Sequence, residues 1–304
     1  MIVLLSGGTG GAKLARGLLG VVGAENLVVI ANTGDDTEAH GVHVSPDPDL
    51  VAYWLADLID ERGYGIRGDT WQVMEALEQA GRPAWFRLGD RDLAMCLVRT
   101  EEMRRGERQT AAHAAVTRAL GLEVRVLPMS DAPVRTHVEA GGRVQAFQEF
   151  MILGGGAGQV AGVEFRGADE ARPSPEALAA IAAADVIVIG PSNPIASIGP
   201  ILALPGMRAA LAAATAPVVA VSPFVGGQVL KGPTEAFCDW AGLATDATGV
   251  AEAYGELLTG LVADERMPAG TRLAALVAPT LMDTAAARRE VARTTLEFAE
   301  SLRA

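Results

Sequence analysis

Four stretches of this 304-residue chain bring together residue types that can do chemistry. The first is S-G-G-T-G-G-A-K, in which Gly7, Gly8, Thr9, Gly10 and Gly11 are followed by Lys13. At a strand-to-helix junction, such a turn aims backbone N–H groups and the positive end of a helix into one pocket. Without Cβ atoms in the way, a phosphate or diphosphate can touch the main chain, and Lys13 adds a direct charge. The spacing fits neither common nucleotide template. Lys13 stands where a dinucleotide fold wants glycine or alanine, and it lacks the preceding glycine and following Ser/Thr of a triphosphate loop. On this reading Gly10→Val weakens binding of a nucleotide substrate and leaves the fold largely intact. A tight turn with a solvated lysine is the plainer alternative.

The second stretch, V-S-P-D-P-D-L, sets Asp47 and Asp49 on either side of Pro48 at a helix start. Aspartates there cap helices, and two carboxylates this close also suit a hard cation such as Mg²⁺ with oxygen ligands. Asp35-Asp36, after Asn32-Thr33-Gly34, carries the same two readings, as does Asp90/Asp92 in L-G-D-R-D. Arg87, just before that third stretch, and Arg91, within it, offer planar forks for carboxylate or phosphate, or else an exposed ion pair. The fourth stretch, G-P-S-N-P-I-A-S-I-G-P, supplies Ser192, Asn193 and Ser197. The histidines at 40, 43, 113 and 137 share no metal spacing, and Cys96 and Cys238 read as reduced thiols.

These stretches need elements to hold them. Short apolar runs predict strands at Ile2–Leu5, Leu27–Ala31, Val124–Leu127, Asp185–Ile189 and Pro217–Val221, buried on both faces. Helical periodicity falls between them, which predicts an α/β fold with a Rossmann-like, mainly parallel sheet. S-G-G-T-G-G, N-T-G-D-D, P-M-S-D, P-S-N-P and S-P-F-V-G-G then share the carboxyl edge of the sheet, where such folds bind ligands. T-H-V-E-A-G-G-R-V-Q-A-F alternates around Gly141-Gly142 and predicts a hairpin. The expected organisation is a core of residues 1–130 and 166–304, with residues 131–165 making a partly antiparallel excursion into a smaller mixed α/β lobe. A net charge of −12 argues against a nucleic-acid binder. No window offers the ~20 apolar residues of a membrane span, so a soluble, cytoplasmic protein is expected.

In combination and order, these motifs resemble the 2-phospho-L-lactate transferase family over nearly the whole chain. The resemblance implies transfer of a phospho-acid moiety from a guanosine diphosphate ester to the deazaflavin 7,8-didemethyl-8-hydroxy-5-deazariboflavin (FO). GMP leaves and F-420-0 forms, with Mg²⁺ required and a homodimer as the usual assembly. It also implies that Asp49 and Arg87 contact the deazaflavin, while the glycine loop, Ser192, Asn193 and Ser197 face the diphosphate and phospho-acid. Asp49, ahead of Asp47, is then the expected metal ligand and the group that orients or deprotonates the attacking hydroxyl. Phe224 is expected to wall the acid pocket, and Trp54, Trp71 and Trp85 are candidates for stacking on the flat acceptor or for the core. The alternative is a regulatory protein of the same fold that binds a nucleotide-sugar diphosphate. The acid itself stays open among phospholactate, phosphoenolpyruvate and 3-phosphoglycerate.

Overall fold

A computed structural model describes residues 1–230 and 232–303. The chain opens with β1 (Ile2–Ser6), α1 (Gly8–Val22) and β2 (Leu27–Ala31), then a short hairpin of β3 (Thr37–Ala39) and β4 (Val42–Val44). Four helices follow, α2 (Pro46–Leu55), α3 (Gln72–Gln79), α4 (Asp90–Arg104) and α5 (Gln109–Ala119), before β5 (Arg125–Pro128). The smaller lobe is β6 (Arg135–Ala140), β7 (Arg143–Ala146), α6 (Phe147–Ile152) and β8 (Val160–Arg166). The chain re-enters the core through α7 (Pro175–Ala182) and β9 (Val186–Ile189), then α8 (Gly199–Ala203), α9 (Met207–Ala213) and β10 (Val218–Val221). A two-residue ribbon, β11 (Phe224–Val225) with β12 (Gln228–Val229), precedes α10 (Thr234–Ala241) and α11 (Ala247–Tyr254). The last elements are β13 (Gly260–Ala263), β14 (Ala274–Val277) and α12 (Ala285–Ser301).

Seven strands pair in the order β14-β13-β10-β9-β1-β2-β5, all in parallel. β1 is buried throughout, and its residues divide between the two faces. Val3 and Leu5 join the cluster covered by α7, α8, α9 and α11, while Ile2 and Leu4 face α1, α2 and α12. From β1 the chain runs outward to β2 and β5, then returns to the other side of β1 at β9. That reversal is the topological switch point, where the strand ends leave a crevice.

All five strands expected from apolar runs are present, and the sheet is wider than those runs suggest. β13 and β14 are four residues each, G-L-V-A and A-A-L-V, and lack the branched apolar run that marks a doubly covered strand. The expected hairpin is also present: β6 and β7 pair antiparallel across Gly141 and Gly142, both at positive φ (59° and 74°). β8 completes this three-stranded sheet. The lobe's entry and exit lie side by side. Ser130 and Pro173 form an isolated bridge, the Ser174 N–H donates to the Met129 carbonyl at 2.9 Å, and the Ser130 hydroxyl donates to the Arg172 carbonyl at 2.7 Å.

L-G-D-R-D proves to be a pair of crossed helix caps. Asp90 accepts from the N–H groups of Gln72 and Val73 (3.1 and 3.0 Å) at the start of α3. Asp69, just before α3, accepts from Arg91 and Asp92 (2.9 and 3.1 Å) at the start of α4. Each aspartate satisfies amide donors that the other's helix cannot pair internally. The capping alternative is the one the structure takes for Asp90.

Candidate active site

At the switch point lies a cleft of about 390 Å³. Its floor is the start of α1 and the loop after β9, its acidic side comes from the loop after β2 and the start of α2, and α6 and the β11–β12 ribbon overhang it. Gly7, Gly8, Thr9, Gly10, Lys13, Ser192, Asn193, Ser197 and Asp47 all line it. Gly11, Asp49 and Arg87 do not.

The glycines divide by task once their surroundings are seen. Gly8 has φ +63°, and a Cβ there would meet only Ser197 Oγ at 3.7 Å. A Cβ on Gly10 would instead fall inside the carbonyl oxygen of Pro191, and one on Gly11 would sit 2.8 Å from Ser192 Oγ. Gly10 and Gly11 are therefore needed so that α1 can pack on the loop after β9. This corrects the expectation that Gly10→Val would spare the fold. The helix begins at Gly8, so the amides of Thr9 and Gly10 belong to its first turn and have no carbonyl within the helix.

Asp47 crosses to this helix start. Its Oδ1 accepts from the Gly8 N–H at 2.6 Å, and its Oδ2 accepts from the Asn32 side-chain amide at 2.9 Å. The same amide reaches Asp35 Oδ1 at 3.4 Å, and Gln148 on α6 donates to Asp35 Oδ2 at 3.1 Å. Behind them Asp36 accepts from Ser45 Oγ, Gln109 Nε2 and His43 Nε2 (2.7, 2.6 and 2.9 Å). Burial raises the pKa of Asp47 to about 6, against the donors Asn32 and Gly8 and with help from the Asp36 charge. Burial, then the charges of Asp47 and Asp36, also push Asp35 well above the carboxylate range.

Asp49 stands on the opposite side of α2 and is 4% exposed. Arg99 holds both of its oxygens at 2.6 and 2.7 Å. Of the two aspartates it is Asp47 that lines the cleft, while Asp49 is bound by a guanidinium. Arg87 lies half-exposed on the surface, paired with Glu78 and 5.5 Å over the Trp71 ring. Phe224 is fully buried in the core, and its neighbours Pro223 and Val225 line the cleft instead. Trp54, Trp71 and Trp85 are also absent from the lining.

The acid pair on the cleft wall, Asp35 with Asp47, has the chemistry that a hard cation asks for. Asp35 and Asp47 offer oxygen donors alone, and burying their charges together raises their proton affinity, which a dication would relieve. Asp49, Asp92 and Cys96 also approach one another within 4.8 Å. There the cation is already Arg99, and burial raises Asp92 to about 7 and pushes up the Cys96 thiol.

Sequence reading offered Asp35 with Asp36 as a candidate pair, and it missed three lining segments altogether. Phe147 and Met151 come from α6, Val229 and Leu230 from the ribbon region, and Thr280 and Met282 from the A-P-T-L-M loop after β14. That last loop would have joined the others had β14 been recognised as a strand.

His113 on α5 carries a testable pH response. It is fully buried, and neither ring nitrogen has a hydrogen-bond partner among the described residues. Asp49 Oδ1 lies 3.9 Å from Nδ1, yet burial outweighs that attraction and lowers the pKa to about 4. The ring is therefore neutral in the fold. Its contribution to stability is fully present above the unfolded value of about 6.5 and is lost as pH falls through 4. The difference corresponds to roughly 3 kcal/mol. His113→Leu should lose much less stability than the parent between pH 7 and pH 4 in urea titrations. Equal losses in the two proteins would assign the acid sensitivity elsewhere.

Comparison with known proteins agrees with this architecture. Residues 2–294 match the family model described as 2-phospho-L-lactate transferase CofD. A phosphoenolpyruvate transferase of Kitasatospora aureofaciens is 42% identical over 316 residues, covering 99% of this chain and 98% of its own. A 2-phospho-L-lactate transferase of Methanosarcina mazei is 40% identical over 266 residues, covering 87% of each chain. Among solved structures, protein BH3568 from Bacillus halodurans superposes with a TM-score of 0.56 at 21% identity. It covers 88% of this chain and 81% of that one, a likeness of fold alone. The match over nearly all its length places the chain in the 2-phospho-L-lactate transferase CofD family, and with it among the transferases.

Proposed function

We propose that this protein makes the phosphodiester of F-420-0 from FO and a guanosine diphosphate ester of a three-carbon phospho-acid. The terminal ribityl hydroxyl oxygen of FO bonds to the phosphorus that carries the acid, and its proton passes to the Asp47 carboxylate. The bond from that phosphorus to the bridging oxygen breaks, and GMP leaves with that oxygen. The observation that carries this reading is the Asp35/Asp47 pair set against the first turn of α1. Phosphoryl transfer asks for alignment and charge neutralisation more than for covalent catalysis.

Each cleft residue then has a task. The first-turn amides of Thr9 and Gly10, with Lys13, hold the diphosphate. Ser192 and Ser197 bring hydroxyls to the same floor. Asn193 uses its side-chain oxygen to accept from Ile195 and Ala196 N–H, both at 2.9 Å, and so shapes the loop that presents those serines. Asp47 and Asp35 would hold Mg²⁺, which when bound neutralises diphosphate charge and draws electron density from phosphorus. Asp47, in place of Asp49, is the carboxylate assigned to the reacting groups. The apolar overhang of Phe147, Met151, Val225 and Leu230 shelters the cleft from water. The cytoplasm as the site of action and a homodimer as the working unit belong to the proposal on the strength of family resemblance.

Incubation with FO and guanosine diphosphate esters of phospholactate, phosphoenolpyruvate and 3-phosphoglycerate tests the reading. GMP and a new deazaflavin phosphodiester should appear in equal amounts with at least one ester, and excess EDTA should stop both. Full turnover in EDTA would remove the cation from the scheme. Absence of turnover with every ester, together with tight binding of a nucleotide sugar, would establish the regulatory alternative.

A further inference from the structure

Asp47 and Asp49 are two residues apart in the first turn of α2, so their side chains leave the helix on opposite sides. Both sides are anchored. On the cleft side, Asp47 is held by the Gly8 N–H and the Asn32 amide. On the far side, the guanidinium of Arg99, fully buried on α4, takes both oxygens of Asp49. Arg99 also donates from Nη2 and Nε to the His43 carbonyl, at 3.1 and 3.3 Å. Its neighbour Thr100 accepts from the His43 N–H through Oγ1 at 2.8 Å. α4 therefore grips the chain on both polar groups of His43, just ahead of α2, and again at Asp49 inside it.

Between these grips the chain is stiff. Pro46 and Pro48 fix two φ angles in the turn that carries both aspartates. A shift of Asp49 must then carry the turn, and Asp47 with it. His43 is also held by its ring, which contacts Asp36 behind the cleft wall, where Ser45 and Gln109 hold the same carboxylate.

We propose that Arg99 is a positioning residue for the cleft. Acting through Asp49 and the His43 carbonyl, it fixes the rotation of the α2 start and so sets Asp47 against the Gly8 amide. This inference rests on the reading of Asp47 as the carboxylate that serves the reaction. It also gives Asp49 a task that its burial permits.

The Gly8 amide is the reporter, because its hydrogen bond to Asp47 Oδ1 is the contact said to be set from a distance. In ¹⁵N-glycine-labelled protein the resonance is assigned by its loss in Gly8→Ala, and Asp47→Ala marks its position without the bond. Arg99→Lys keeps the charge, but an ammonium cannot span both Asp49 oxygens and the His43 carbonyl in one plane. The Gly8 resonance in Arg99→Lys should move toward its Asp47→Ala position, with kcat about tenfold lower at a temperature where the variant is folded. Should Arg99→Lys fail to fold, Asp49→Asn keeps the side-chain volume and should move the resonance in the same direction. A wild-type Gly8 position in a folded variant of either kind would overturn the proposal, even if its melting temperature had dropped. The measurement needs neither substrate nor cation. Failure of the transferase reading would appear only in turnover of the parent enzyme, and the Gly8 resonance would still decide the role of Arg99.

Discussion

Asp47→Asn should abolish most phospho-acid transfer while making the cation-free protein more stable. The substitution keeps an oxygen that can accept from the Gly8 N–H, so the start of α2 stays in register with α1, although its NH2 gives up the bond that Asp47 Oδ2 accepts from the Asn32 amide. What disappears is one of three neighbouring buried carboxylates, Asp35, Asp36 and Asp47. For transfer, loss of that charge should cost about 10²–10³-fold in kcat, the scale seen when a pre-set electrostatic group is removed from a reacting centre. For stability the sign is opposite. The Asp47 pKa is raised from 3.8 to about 6, so its contribution is fully present below about pH 3.8 and is lost as pH rises through 6. Near pH 8 the wild-type fold therefore carries the whole penalty of an ionised Asp47. Asparagine should recover roughly 1–2 kcal/mol of it in EDTA. Urea denaturation at pH 8 and pH 4 checks this directly, with the gain confined to the higher pH. A variant that is inactive and also less stable at pH 8 would mean that Asp47 holds the structure together rather than serving the reaction.

Gly10→Val should prevent the protein from reaching its fold, whereas Gly8→Ala should fold and weaken binding. At Gly10 the obstacle is the carbonyl oxygen of Pro191, a backbone atom that no side-chain change at position 191 can move. Either α1 or the loop after β9 must retreat, and both build the cleft floor. A cost above about 4 kcal/mol is in keeping with such an overlap, a large share of the stability of an ordinary domain. At Gly8 there is space, and the cost is the left-handed backbone, roughly 1–2 kcal/mol for an alanine. Soluble yield and circular dichroism should separate the two variants, and calorimetric titration with GDP should then show weaker binding by folded Gly8→Ala. A folded Gly10→Val with reduced GDP affinity would reinstate the simpler view of the loop as a bare phosphate cradle.

The contrast between these glycines shows where sequence reading works and where it stops. S-G-G-T-G-G between an apolar run and a helical pattern announces a tight junction at a sheet edge, and the cleft is there. Which glycine meets a ligand and which meets protein depends on Pro191, far along the chain, and no local pattern contains that distance. The same holds for P-D-P-D. Spacing places both aspartates at a helix start, but which one faces the cleft is decided by Arg99 on another helix. The five strands from β10 across to β5 were legible because burial on both faces demands continuous apolar residues. β14 was not legible, and the Thr280 loop that follows it went unread for that reason. In L-G-D-R-D, the acidic residues attracted a chemical reading while the fold uses Asp90 to close a helix end.

The staple formed by Ser130 and Pro173 gives the smaller lobe the character of a graft. Its two ends meet at one point of the core, so strands can be lengthened, shortened or exchanged beyond that point without re-threading the seven-stranded sheet. Such a join lets lineages diversify the roof of the cleft while inheriting its floor unchanged. It marks residues 131–172 as the place to begin when recombining this chain with its relatives.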